Sequence, residues 1–140
     1  MDNLVEVKLA DLEGRALDWM VAQVEGVAVK LTPPHNGTYW RVFQVVRPYA
    51  YRPSTDWSQG GPLMDKYSKS FGMVDSSEPP SFRAFARKPG PEGFCRIAGG
   101  ETILQAFCRA LVRLHRGDLL MVPEVLVLHA EVARHAVRPV

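Results

Sequence analysis

The chain has 140 residues, of which 46% are hydrophobic and 23% are charged, and its formal net charge is +2. These values fit one globular domain and exclude a chain that is disordered throughout. The small net charge does not by itself indicate a nucleic-acid or membrane-surface protein, and no apolar run reaches the ~18 residues needed to span a bilayer.

The N-terminal part predicts a strand followed by a helix. Residues 4–9 alternate apolar and polar side chains, as a short strand does. Asp11 is then a candidate helix cap, and Gly26 is suited to a left-handed helix end. Between them, four apolar residues follow helical spacing: Leu17, Met20, Val21 and Val24.

The next segments predict a hairpin and then an interrupted stretch. Residues 27–32 and 38–46 are rich in β-branched and aromatic residues on either side of a Pro-Pro-His-Asn-Gly turn, so we expect an antiparallel pair. Residues 47–54 should be extended because they contain two prolines. Gly60, Gly61 and Pro62 should interrupt the chain, and residues 63–71 are compatible with a short helix that Gly72 would end.

The C-terminal part predicts a second hairpin and the strongest helix. Residues 73–81 are expected to be loop, and alternation at 82–87 and 93–98 predicts two paired strands. Residues 101–116 have a continuous apolar stripe centred on Leu111 and basic residues in the last turn. A short buried segment and an apolar tail, residues 124–140, compatible with a helix, follow.

Cysteine and histidine usage predicts no bound metal and no disulfide. Cys95 and Cys108 are too few for a disulfide framework, and no signal peptide precedes the first acidic residues. We therefore expect a cytosolic protein with two free thiols. The four histidines lack the spacing of metal ligands, and no sequence feature indicates a cofactor.

The stretch "YRPSTDWSQGGPLMD", residues 51–65, is the first candidate site. Its candidate ligand-binding residues are Tyr51, Ser54, Asp56, Trp57, Gln59, Gly60 and Gly61. The alternative interpretation is a structural corner. In that case Asp56 caps a helix, Trp57 is buried as an anchor, and Gly60 or Gly61 has a positive φ.

Residues 39–52 are a second candidate, because aromatic and arginine side chains alternate there. Base stacking and phosphate contacts would use Trp40, Arg41, Arg47 and Arg52. The same pattern also describes an ordinary half-buried hairpin, which we favour.

Three blocks of the sequence together resemble the NinX-like proteins, a family of unknown function found in phages and prophages. The first block contains Leu17, Asp18 and Trp19. The matching residues of the second and third blocks are Ser54, Trp57, Gln59, Gly60, Gly61 and Pro62, then Gly117, Asp118, Val122 and Pro123. The resemblance covers roughly residues 5–126 and implies a phage or prophage accessory protein in the bacterial cytoplasm.

We therefore predict an α+β fold, a small single domain with two main helices packed on an antiparallel sheet. Residues 1–126 form the NinX-like domain and residues 127–140 extend it. The expected function is non-enzymatic binding of a host or phage macromolecule. The alternatives are a nucleic-acid-binding protein that uses residues 39–52, and a small enzyme or small-molecule binder with its site at residues 51–61.

Overall fold

The computed structural model describes residues 3–68, 70–76, 78, 80–91 and 93–127. This part of the chain contains seven strands, three α-helices and a further helical stretch at residues 124–127. The strands are β1 Leu4–Lys8, β2 Val29–Thr32, β3 Arg41–Gln44, β4 Phe71–Asp75, β5 Ser81–Arg87, β6 Cys95–Gly100 and β7 Leu119–Pro123. The helices are α1 Gly14–Glu25, α2 Trp57–Tyr67 and α3 Ile103–Arg116.

All strand pairs are antiparallel, and they form three small sheets rather than one. β1 pairs with β7, β2 pairs with β3, and β4, β5 and β6 form a three-stranded sheet. The predicted α+β class is confirmed, as are both predicted hairpins. The first strand, β1, pairs only with the last strand, β7.

Helix α3 is the centre of the core. It packs against β5 and β6 and also contacts α1 and α2. Phe107 and Leu111 are fully buried, which confirms the predicted apolar stripe. The Thr102 hydroxyl accepts a hydrogen bond from the Gln105 amide at 3.0 Å, so the start of the helix is capped by its side chain.

Helix α1 starts later than the sequence suggests. Asp11 does not cap it, because Leu9–Asp11 form a 3-10 turn that ends with Leu12 bonded back to Leu9 at 3.0 Å. This turn buries Leu9 and Leu12 before α1 begins at Gly14. Gly26 ends the helix with a φ of 70°, as predicted.

The predicted strand at 38–46 is shortened at both ends to β3, and at its C-terminal end the chain turns back at Val45. The Val45 amide bonds the Ala28 carbonyl at 3.0 Å, and the Gln44 amide bonds the Tyr49 carbonyl at 2.9 Å. The returning segment bonds to β3 again, where the Tyr51 amide donates to the Val42 carbonyl at 2.8 Å. A tight turn therefore projects beyond the β2–β3 hairpin.

Two other boundaries differ from the sequence prediction. Gly72 does not end a helix, and residues 73–81 are not all loop, because β4 begins at Phe71 and pairs with β5. Residues 124–127 are helical, and the rest of the predicted tail, 128–140, lies outside the described residues. Within the described ranges, no helix is long and apolar enough to cross a membrane.

Candidate functional site

The corner at residues 51–61 includes the start of α2 at Trp57, and the helix continues through Gly60, Gly61 and Pro62. The predicted interruption is therefore wrong, although Pro62 lacks the N–H that would bond the Ser58 carbonyl. Neither glycine has a positive φ. The reason for glycine differs at the two positions, and only at Gly60 is it imposed by close packing.

Gly60 lies against the segment that precedes the helix. A Cβ atom at this position would be 2.4 Å from the Pro53 carbonyl oxygen and 2.7 Å from Leu104 Cδ2. At Gly61 a Cβ atom would meet nothing nearer than Trp57, at 4.0 Å. Gly60 therefore permits the helix to approach the backbone of Pro53, whereas Gly61 is unconstrained by its neighbours.

Asp56 caps α2, as the structural interpretation predicts. Its Oδ1 atom accepts hydrogen bonds from the Ser58 amide at 2.9 Å and the Ser58 hydroxyl at 2.7 Å. These two bonds lower the pKa of the Asp56 carboxyl. Trp57 is not the buried anchor that was expected. It is the first helical residue, and its side chain is 54% exposed.

We expect Asp56→Ala to lower the Tm by a few degrees, because the first turn of α2 loses its side-chain acceptor. Asp56→Asn should retain most of the wild-type Tm, since asparagine also caps helices. Differential scanning calorimetry of the three proteins measures the effect. An unchanged Tm for the alanine variant would show that the cap contributes nothing to the fold.

The side-chain amide of Gln59 forms hydrogen bonds with the backbone where the chain enters the corner. Its Nε2 atom donates to the Ala50 carbonyl at 2.8 Å, and its Oε1 atom accepts from the Arg52 amide at 2.8 Å. The amide thus satisfies two backbone groups of the segment that follows β3. These two hydrogen bonds give Gln59 a structural role that requires no ligand.

The Leu-Asp-Trp block and the corner meet through one buried hydrogen bond. The Ser54 amide donates to Asp18 Oδ1 at 2.8 Å, and both residues are almost fully buried. Ser54 Oγ forms no hydrogen bond of regular geometry with a described residue. Two of the sequence blocks that carry the resemblance therefore form one structural unit.

Beside this hydrogen bond is a cavity of about 440 Å³, called here the Asp18 cavity. Its size lies within the range of small-ligand sites. The cavity lies between the start of α1, strand β3 and the corner. Its charged and hydroxyl-bearing lining residues are Arg15, Asp18, Arg41, Tyr51, Arg52 and Thr55.

Burial raises the pKa of the Asp18 carboxyl to about 7. The hydrogen bond from the Ser54 amide opposes this rise, and the positive charges of Arg15 and Arg52 oppose it more weakly. Burial also raises the pKa of the Tyr51 phenol, which stays protonated at neutral pH. The cavity thus contains a carboxyl group that titrates near neutrality and a phenol that does not.

The raised pKa of Asp18 predicts a fold that loses stability as the pH rises from the ordinary carboxyl pKa of 3.8 to about 7, a range that includes pH 6 to pH 7. The folded-state pKa lies above the ordinary value of 3.8, so the folded protein binds more protons than the unfolded chain in this window. Raising the pH therefore costs up to about 1.4 kcal/mol of the free energy of unfolding per pH unit.

Urea midpoints at pH 6 and pH 7 test this, with Asp18→Asn expected to remove the Asp18 contribution while retaining an acceptor for Ser54. Asp11→Asn, at an exposed position, is the matched control and should show the wild-type change. If Asp18→Asn also shows the wild-type change, Asp18 is already ionised at pH 6 in the fold.

The candidate nucleic-acid residues do not form one surface. Trp40 packs against the hydrophobic core, and Arg41 lines the Asp18 cavity. Arg52 also lines that cavity, and together with Arg47, Tyr49 and Gln59 it lines a neighbouring hollow of about 360 Å³. Only Arg47 and Arg52 therefore share a face with an exposed aromatic side chain.

Asp18, Arg15 and Thr55 are not among the candidate site residues predicted from the sequence. One signal was present for Asp18: an acidic residue directly after Leu17 and three positions before Val21 lies beside the apolar stripe of a helix. Among the described residues, no group of three His, Cys, Asp or Glu side chains is arranged to hold a metal ion.

The family described as Bacteriophage P22, NinX, has a sequence model that matches residues 8–115. The matched region includes Asp18, the corner and most of α3. No protein with a curated description matches the chain.

Proposed function

We propose that this chain, which belongs to the bacteriophage P22 NinX family, is a phage-encoded accessory protein that binds a protein of the host or of the phage. The proposed site of action is the bacterial cytoplasm, and the proposed activity is binding rather than catalysis. The observation that carries this proposal is an exposed apolar turn beyond the β2–β3 hairpin.

This turn, called here the tip surface, consists of Val45, Val46, Arg47 and Tyr49. Val46 is 86% exposed, and Val45 and Tyr49 are 57% and 60% exposed. Exposure of valine and tyrosine side chains to water is unfavourable, so burying them against a partner would stabilise the complex. Grouped apolar and aromatic residues beside an arginine are typical of protein-binding surfaces.

The turn is held by backbone hydrogen bonds on both sides. Besides the bonds of Val45 to Ala28 and of Gln44 to Tyr49, the Tyr49 amide donates to the Arg47 carbonyl at 2.8 Å. A partner would therefore meet a preformed turn, and less conformational entropy would be lost on binding. This supports recognition of a folded surface by the tip.

A second candidate is single-stranded nucleic acid, favoured by the hollow beside the tip surface. Arg47 and Arg52 line it with Tyr49, which supplies one exposed ring for stacking. Trp40 is partly buried against the core and does not line this hollow. Such binding would weaken steeply as the salt concentration rises.

The test is affinity purification of the tagged protein from infected or prophage-bearing cells, in parallel with Val46→Asp and Val74→Asp. Val74 in β4 is similarly apolar and 57% exposed, so it provides a matched control. We expect a protein that co-purifies with the wild type and with Val74→Asp to be lost with Val46→Asp. Retention of every partner by Val46→Asp would refute binding at the tip.

A nuclease-treated sample separates the two candidates. A partner that remains after nuclease treatment and dissociates only slightly at high salt is a protein held by apolar contact. Loss of the bound material after treatment, with a steep salt dependence for a labelled oligonucleotide, would favour nucleic acid.

A further inference from the structure

Arg41, one of the residues that line the Asp18 cavity, has a buried donor without an acceptor among the described residues. The Nε atom of Arg41 is buried and forms no hydrogen bond with any described residue. Its guanidinium group lies over the Phe43 ring, 4.8 Å from the ring centre, so the side chain is fixed without using this donor. An unpaired buried donor on a charged group is costly, which indicates that an acceptor belongs in the cavity.

The charge of the lining indicates that this acceptor is an anion. Arg15, Arg41 and Arg52 bring three positive charges to the cavity, and Asp18 is its one acidic lining residue. Asp56 lies near Arg52, but the closest ion-pair distance between them is 3.8 Å and Arg52 remains largely exposed. The lining therefore favours an anionic ligand.

We propose that the Asp18 cavity binds a phosphate group in its dianionic form. Arg41 supplies the buried donor, and Arg15 and Arg52 flank the phosphate from α1 and from the corner. Guanidinium groups match phosphate oxygens with paired N–H donors, and a phosphate monoester carries a charge near −2 at neutral pH. Tyr51 and Thr55, which also line the cavity, carry uncharged hydroxyl groups.

Asp18 makes this binding sensitive to pH. While protonated, its carboxyl group can donate a hydrogen bond to a phosphate oxygen, and once ionised it repels the dianion. The groups that face it are Arg15 on its own helix, Tyr51 and Arg52 after β3, and the buried Cys108 thiol on α3. The cationic groups oppose the repulsion but do not remove it, so affinity should fall as Asp18 ionises.

Isothermal titration of the full chain with inorganic phosphate tests the site. We expect saturable binding to the wild type, and at least tenfold weaker binding to Arg41→Gln and to Arg52→Gln. Arg83→Gln, at an exposed position on β5, is the matched control and should bind as the wild type does. Circular dichroism verifies the fold of each variant, and Arg52, being exposed at the corner, tests the site even if Arg41→Gln unfolds.

Sulfate isolates the role of Asp18, because sulfate remains a dianion from pH 6 to pH 8. Its affinity for the wild type should fall several-fold over this range, and Asp18→Asn should abolish the fall. The proposal is overturned if the wild type binds neither anion, or if Arg52→Gln and a folded Arg41→Gln bind both anions as tightly as the wild type.

The source of the phosphate is distinguished by titrating a nucleoside 5′-monophosphate and a 5′-phosphorylated oligonucleotide against its 5′-hydroxyl form. Tighter binding of either phosphorylated compound than of inorganic phosphate identifies a nucleotide phosphate, and equal affinity identifies the free ion. The cavity and the tip surface share no residue. Val46→Asp should therefore bind phosphate normally, which keeps this test separate from the one for protein binding.

Discussion

Gly60→Ala is expected to destabilise the protein by about 1–3 kcal/mol, because the added methyl group has no space. Its Cβ atom would lie 2.4 Å from the Pro53 carbonyl oxygen and 2.7 Å from Leu104 Cδ2. The leucine methyl could move, but the Pro53 oxygen belongs to the backbone of the corner. To relieve this clash, α2 would have to move away from the backbone of Pro53.

Gly61→Ala provides a matched control in the same helix. Its Cβ atom would be 4.0 Å from the nearest neighbouring side chain, and alanine favours a helix by roughly 0.5–1 kcal/mol over glycine. We expect a neutral or stabilising effect, measured by urea unfolding of both variants. Equal midpoints for the two variants would mean that the close approach at Gly60 does not exist in solution.

Leu111→Ala is expected to cost about 2–5 kcal/mol of the free energy of unfolding. Leu111 is fully buried on the face of α3 that forms the core, and the helix packs against α1 and the β5–β6 pair. Removing the side chain leaves a cavity in the centre of the domain. The loss includes both the transfer free energy of the leucine and the packing around it.

Leu119→Ala is the corresponding control, since Leu119 is 60% exposed on β7. The same substitution there should change the free energy of unfolding by less than about 0.5 kcal/mol. Chemical denaturation of both variants gives the comparison. A small loss for Leu111→Ala would place the apolar stripe of α3 on the surface rather than in the core.

Elements with a regular local pattern could be predicted from the sequence. Helix α3 has a continuous apolar stripe, a threonine cap and basic residues in its last turn, and the β5–β6 hairpin has clear alternation. Helix α2 was missed at its start because glycine and proline have low helix propensity. Its formation depends on the Asp56 cap and on packing against Pro53 and Leu104, which local propensity does not describe.

The candidate site shows the same division between local and distant causes. The Asp56 cap could be predicted because its partner is two residues away in the sequence. The Asp18 cavity could not, because Asp18 and Ser54 are 36 residues apart and meet only in the fold. Asp18 is buried because α1 packs against the corner, and this burial raises the pKa of its carboxyl group. Helical spacing in the sequence does not reveal this contact.

The pairing of β1 with β7 has a consequence for synthesis on the ribosome. Leu4 lies opposite Pro123, so the first strand has no partner until almost all of the described chain has been translated. Antiparallel contacts this distant in sequence also slow folding, because a large loop must close first. During most of translation, the residues of β1 therefore have no strand to pair with. We expect a chaperone that shields nascent chains to raise the yield of folded protein.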